Sequence, residues 1–138
     1  KISIVRGFTF YGRYILKYNY AISQIINSIR SNKKIIINNQ NTLRSYMHAD
    51  DLCKWIFKII NVSSTKCPIY NVGSDRVLNI KNLATFLAKK YNSEIIFKHN
   101  KSKKIDFYVP STYLAKKKLK LRTTINFKRA INSIINLK

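Results

Sequence analysis

Apolar residues in this chain alternate between two spacings, and no other sequence feature narrows its fold as far. Ile2 to Arg6 and Ile35-Ile36-Ile37 are short β-branched runs, the pattern of strands buried in a parallel sheet. Other segments place apolar residues at i, i+3 and i+4, the rhythm of amphipathic helices. Ala21, Ile22, Ile25, Ile26 and Ile29 mark one helix over Tyr20 to Arg30. Leu52, Trp55, Ile56, Ile59 and Ile60 mark a second, starting at or near Asp50, with Asp50 and Asp51 suited to its positive N-terminal end. Gly7 to Tyr18 reads as an aromatic loop and Asn38 to Asn41 as a polar turn, while Ser45 to His48 and Pro68 to Gly73 read as strands. Asn79 is placed to cap a third helix with Leu83, Phe86 and Leu87 inward, followed by a strand over Glu94 to Lys98. Ser111 then caps a short helix burying Leu114, Ala115 and Leu119. Thr124 caps a last one burying Phe127, Ala130, Ile131 and Ile134. Strands alternating with helices over 138 residues make a mixed α/β body.

Charge is the second constraint. With 27 Lys and Arg against 5 Asp and Glu the chain carries +22, a balance that raises nucleic acid as a partner. However, Ile, Lys and Asn, three residues with AT-rich codons, together make 57 of the 138 positions, so codon drift accounts for much of the excess. Lys33-Lys34, Lys89-Lys90, Lys103-Lys104 and Lys116-Lys117-Lys118 also fall at different element ends, with no aromatic or recognition-helix pattern beside them. Direct nucleic-acid recognition is therefore disfavoured. A hydrophobic content of 46% excludes a disordered polycation, and no apolar run approaches the roughly 18 to 20 residues of a membrane span. Cys53, Cys67, His48 and His99 have neither disulfide-framework nor zinc-site spacing, so no metal is expected, and Cys53 reads as a helix residue in a reducing cytoplasm.

Glycine is scarce. Gly7, Gly12 and Gly73 cannot spell G-x-G-x-x-G or a Walker loop, so the usual pyrophosphate cradle is missing from this sequence. Lys1 to Arg6 is not a signal peptide and reads as a strand entered part-way through a longer fold.

Four segments in order carry a resemblance. They are Val5-Arg6-Gly7-Phe8-Thr9-Phe10-Tyr11-Gly12, then Thr42-Leu43-Arg44-Ser45-Tyr46-Met47-His48-Ala49-Asp50-Asp51-Leu52, then Ile69-Tyr70-Asn71-Val72-Gly73-Ser74. Last come Tyr108-Val109-Pro110-Ser111 and Ala115 to Leu119. Together they resemble the C-terminal half of the extended short-chain dehydrogenase/reductases, the NAD-dependent nucleotide-sugar epimerases and dehydratases. That resemblance implies the end of a Rossmann-type parallel sheet plus a small mixed α/β substrate-binding lobe. Residues 1–18 would close the Rossmann core and 19–138 would form most of the lobe. It also implies a nucleotide-diphosphate sugar as ligand, NAD as cofactor of the intact enzyme, oxidoreduction at sugar C4, and an N-terminal Rossmann half or a homodimer partner to complete the site.

The resemblance assigns roles residue by residue. Arg44 matches the family's arginine that forks onto the diphosphate, a task for a planar guanidinium. Asn19 falls where an amide donor opens the substrate-domain helix. Thr9 stands where many relatives carry Asn, Arg13 where they carry Pro, and Phe107 where an Arg often precedes Tyr-Val-Pro. Lys101, Lys103 and Lys104 are candidates to replace that lost arginine. Tyr46 either backs the base or ribose or packs in the core, and Asn71 is either scaffold or ligand. Phe8 and Tyr11 are the nearest approach to cofactor contacts. Asp51 is expected to begin its helix and orient the loop carrying Arg44, and Trp55 to be core. The family's catalytic Tyr-x-x-x-Lys has one match in spelling, Tyr113 with Lys117, but in the tail helix rather than upstream. The expectation is a substrate-binding part that is catalytically incomplete as this chain. A basic nucleic-acid-binding module and a non-catalytic subunit or interaction fragment remain the alternatives.

Overall fold

In a computed structural model of the chain, residues 1–16, 19–98 and 104–137 are described. The strands are β1 (Ile4–Gly7), β2 (Phe10–Tyr11), β3 (Ile35–Ile37), β4 (Thr42–Arg44), β5 (Met47–His48), β6 (Ile69–Val72), β7 (Leu78–Asn79), β8 (Ile95–Phe97) and β9 (Asp106–Tyr108). The helices are α1 (Ala21–Arg30), α2 (Ala49–Ile60), α3 (Ile80–Lys90), α4 (Tyr113–Leu119) and α5 (Phe127–Asn136), with one 3-10 turn at Arg13–Ile15. Most pairing is parallel: β1 with β6, β2 with β5, β3 with β8, and β4 with β9. β7 joins antiparallel on the other edge of β4, and a lone antiparallel bridge links Ile2 to Ser64. The fold class is therefore mixed α/β with parallel sheets, as the alternating spacings predict. None of the described helices is long and apolar enough to cross a membrane.

Two cores form. The larger packs Ile22, Ile25, Ile26 and Ile29 of α1 against Ile35 and Ile37 of β3, with Leu83 and Leu87 of α3 and Ile131, Ile134 and Ile135 of α5. The smaller holds Met47, Trp55, Ile59, Tyr70, Val72 and Ala115. Trp55 is buried in it and donates from Nε1 to the Arg122 carbonyl at 3.2 Å, so it is a core residue. The triple isoleucine of β3 obeys strand alternation: Ile35 and Ile37 point inward while Ile36 is 47% exposed. Both β1 and β6 carry exposed isoleucines, Ile4 and Ile69, unusual for parallel strands. Among the described residues β1 has β6 as its ladder partner and no strand on its second edge.

Asparagine does glycine's work at helix ends. Asn32 and Asn92 adopt φ of 50° and 49°, just beyond α1 and α3. Lys33 N–H bonds the Ser28 carbonyl at 2.8 Å and Ser93 N–H the Ala88 carbonyl at 2.9 Å, the six-to-one bond of a Schellman ending. Asparagine tolerates the left-handed region better than other residues bearing a Cβ, so a glycine-poor, asparagine-rich chain can still stop its helices.

Several sequence expectations are corrected by packing. Of the strand read over Ser45 to His48 only Met47–His48 pairs, as β5 with β2, and Thr42–Arg44 before it form a separate strand, β4, between β7 and β9. The loop read over Gly7 to Tyr18 contains β2 and the 3-10 turn. The cap of α2, expected at or near Asp50, is His48, which accepts at Nδ1 from Asp50 N–H at 3.2 Å. Asn126, not Thr124, caps α5 through Oδ1 to Arg129 N–H. Thr112, not Ser111, precedes α4, without a side-chain bond. Ile60, Phe86 and Leu114, expected inward, are exposed because each sits at the margin of its helix's buried stripe; Phe86 carries the Lys128 ammonium 5.2 Å from its ring centre. Asn79 does cap α3, accepting from Asn82 N–H.

The chief correction concerns Asp51. It lies in the first turn of α2, but its buried carboxylate does not orient the Arg44 loop. Oδ2 accepts from Thr124 N–H at 2.9 Å and Ile125 N–H at 3.0 Å, and Oδ1 from the Thr124 hydroxyl at 2.6 Å. Burial alone would raise this carboxyl's pKa, but the hydrogen bonds from Thr124 and Ile125 outweigh it and the net direction is down. Asp51→Asn should therefore destabilise the fold by about 1 to 3 kcal/mol at pH 7, since it leaves part-buried donors facing an amide. The folded pKa lies below the unfolded value of about 3.9, so the wild-type advantage is present above that pH. It is lost as pH falls through the folded value. Urea denaturation of both proteins at pH 7 and pH 3 checks this: the gap should narrow in acid.

Candidate functional site

A cleft of about 590 Å³ opens between the first turn of the chain, α1, and the β4–β9 ladder. That volume falls in the range of small-molecule sites. Gly7, Phe8 and Thr9 form one wall as the chain leaves β1. Asn19 and Gln24 flank the start of α1, with Gln24 Nε2 donating to Asn19 Oδ1. Ile36, Asn38 and Asn39 supply a second wall, and Arg44, Asp106, Phe107 and Tyr108 a third. The last wall exists because β4 and β9 run parallel in register, Thr42 beside Asp106, Leu43 beside Phe107 and Arg44 beside Tyr108.

Arg44 and Asn19 therefore line one cleft. The guanidinium lies 5.8 Å from the centre of the Tyr108 ring, which packs against Phe8 with centroids 4.9 Å apart. Nη1 donates to the Leu43 and Asp106 carbonyls at 3.0 and 2.9 Å, and Nη2 to Asp106 Oδ2 at 2.5 Å. That hydrogen bond, with the positive charge behind it, holds the Asp106 carboxyl below the usual carboxylate range. Aromatic faces, amides and one oriented guanidinium suit a ligand carrying a ring, hydroxyls and phosphate.

The other expected residues scatter by degrees. Thr9 lines the cleft. Tyr46 is buried yet borders both this cleft and a smaller one of about 270 Å³, stacks on Phe127, and has its hydroxyl pKa pushed well up by burial, partly offset by Arg44. Asn71 lies outside the cleft, its Nδ2 donating to the Ser111 carbonyl at 3.1 Å. Tyr11 is buried edge-on to His48 and Phe127, in the smaller cavity's wall, and burial raises its pKa too. Tyr113 and Lys117 lie on α4, away from the cleft, with the ammonium 5.3 Å from the ring centre. Lys101, Lys103 and His99 lie outside the described residues. Among the described residues no three His, Cys, Asp or Glu side chains gather as a metal site.

Sequence reasoning missed Asp106, Gln24, Asn38 and Asn39. The amides were lost in an asparagine-rich background. Asp106 had a signal: it is one of only 5 acidic residues in the chain.

None of the three glycines leads directly into an α-helix of the described residues. A Cβ at Gly12 would meet Ala49 Cβ at 3.1 Å, and one at Gly73 would meet Phe8 Cβ and Pro110 Cγ, each at 3.0 Å. Both glycines are thus packed against protein. Gly7 has open space but leads into β2 rather than into a helix N-terminus. Gly73 instead lets Phe8 and Pro110 pack closely at the end of β6. Gly73→Ala should displace Phe8 by a few tenths of an ångström and cost about 1 kcal/mol. Denaturant titration would read the loss, and aromatic NMR shifts of Phe8 and Tyr108 the movement.

Comparison with known proteins gives one family and one fold. The model of the NAD dependent epimerase/dehydratase family matches residues 1–73. No curated protein matches the sequence. Among solved structures, a UDP-glucose 4-epimerase of Thermotoga maritima with UDP-glucose superposes with a TM-score of 0.82 at 15% identity, over 96% of this chain and 44% of that one. A UDP-glucuronic acid 4-epimerase of Bacillus cereus, in complex with UDP-glucuronic acid and NAD, gives 0.80 at 16% identity, over 98% and 44%. An NAD-dependent NDP-hexosamine 5,6-dehydratase of tunicamycin biosynthesis gives 0.74 at 18%, over 96% and 44%. The chain thus spans less than half the length of these structures.

Proposed function

The chain belongs to the NAD dependent epimerase/dehydratase family, and on that premise we propose that its cleft is the nucleotide-diphosphosugar side of such an enzyme. In this reading the chain is the C-terminal, substrate-binding part, with residues 1–18 closing a Rossmann core and 19–138 forming most of the lobe. The observation that carries it is the meeting of Arg44 and Asn19 on one cleft, from segments that the sequence keeps far apart. Arg44 keeps its Nε–H and one Nη2–H for phosphate oxygens. Asn19 adds its amide, Thr9 a hydroxyl, and Asn38, Asn39 and Gln24 can bond sugar or base edges. Phe8 and Tyr108 offer ring faces to the base or sugar, and Tyr46 closes the floor behind Arg44.

The chain's share of the chemistry is binding and orientation. In this reading oxidation at sugar C4 belongs to the intact enzyme, with the dinucleotide held mainly by an N-terminal Rossmann half. Among the described residues no strand pairs with the second edge of β1, and with Ile4 exposed this suits continuation of the parallel sheet by an N-terminal Rossmann half. A cytoplasmic setting fits two free cysteines, Cys53 and Cys67.

Calorimetric titration of the 138-residue chain with UDP-glucose tests the assignment. Arg44→Ala should weaken binding about tenfold or more, and Arg44→Lys should recover little of it, because an ammonium cannot fork. Asn19→Ala should cost a smaller factor, about threefold. Unchanged affinity in Arg44→Ala would remove the cleft from consideration.

A further inference from the structure

Among the described residues lining the cleft, Arg44 and Asp106 are the charged ones, and they are bonded to each other. Three of the five N–H groups of Arg44 point to Leu43 and Asp106, so two remain for a ligand. The Asp106 side chain is 48% exposed, so an anion approaching those two donors also approaches a carboxylate. Within the described lining the pair sums to no net charge. Attraction at Arg44 therefore comes from hydrogen-bond geometry, and repulsion from Asp106 grows with each further negative charge on the ligand.

We propose that Asp106 is a specificity-determining residue: it admits a diphosphate esterified at both ends and discriminates against a terminal phosphate. This rests on reading the cleft as a nucleotide-diphosphosugar site. A phosphate esterified on both sides carries one charge at neutral pH. A terminal phosphate, with a second pKa of about 6, carries close to two. Contact distances lie inside the Debye length of about 8 Å, so salt screens the difference poorly. The carboxylate lies beside Tyr108 and Phe107 on the same strand, and its backbone is fixed by the bond from Asp106 N–H to the Asn41 carbonyl at 2.9 Å. It is a fixed part of the wall rather than a mobile loop charge. The consequence is a site that keeps an intact nucleotide sugar in preference to the free nucleoside diphosphate left when the sugar is lost.

The test is calorimetric titration of wild type, Asp106→Asn and Asp106→Ala with UDP-glucose, UDP and uridine, with circular dichroism confirming the fold of each. Wild type should prefer UDP-glucose to UDP. Asp106→Asn should raise UDP affinity about tenfold and UDP-glucose affinity about threefold or less, shrinking the preference, with uridine affinity unmoved. Asp106→Ala should shift the ratio the same way, since it also deletes the charge. An unchanged ratio of UDP-glucose to UDP affinity in both variants overturns the proposal while leaving the site intact. Equal weakening of both ligands also overturns it, and would make Asp106 only an orienting residue for Arg44. Absence of binding by any ligand to any variant overturns it together with the site assignment.

Discussion

One buried carboxylate ties the two halves of this fold together. Asp51 rises from the first turn of α2, whose Trp55 and Ile59 anchor the smaller core. It grips Thr124 and Ile125, the residues that lead into α5, whose Ile131, Ile134 and Ile135 close the larger core. Thr124 N–H and Ile125 N–H lie before the helix, in a part-buried segment where unpaired donors are expensive. The charge on Asp51 survives burial because three hydrogen bonds replace its water. Tyr46, between Arg44 and the Phe127 ring of α5, then joins that closure to the cleft.

The cleft itself depends on a ladder of three residue pairs. When β9 pairs with β4, Asp106 arrives beside Arg44 and Tyr108 beside both, and an otherwise solvated arginine becomes a fixed feature of a wall. Acids are so few here that each has an identifiable contact. Asp50 faces His48, Asp51 holds the α5 approach, Asp75 pairs with Lys116, Glu94 with Lys34, and Asp106 with Arg44. With 27 Lys and Arg in the chain, Asp106 pairs with the one cation in the described lining of the cleft. Against the large positive charge of the chain, the described lining of the candidate site is neutral in sum.

Much of the body was legible because helix periodicity is a local property. The stripes of α1 and α5 and the cap at Asn79 follow from spacing and side-chain chemistry alone. Strand details were less legible. Two- and three-residue strands such as β5, β7 and β9 carry too little pattern to stand out, and exist because distant backbone groups pair with them. Capping failed as a reading where tertiary partners competed: Thr124 looks like a cap, but its hydroxyl is taken by Asp51, and Asn126 does the work instead. The site was half legible. Arg44 and Asn19 came from motif resemblance, whereas Gln24, Asn38 and Asn39 are indistinguishable by sequence from other amides in the chain.

By itself the sequence determined an α/β body, because apolar spacing fixes which face of each segment must leave water. Only the tertiary structure decided that Arg44 shares a wall with Asp106 and a cleft with Asn19. Residues 62 positions apart are neighbours solely through the parallel register of β4 and β9. Register is set by backbone pairing and by packing on both cores together, and no local stretch of chain contains that information.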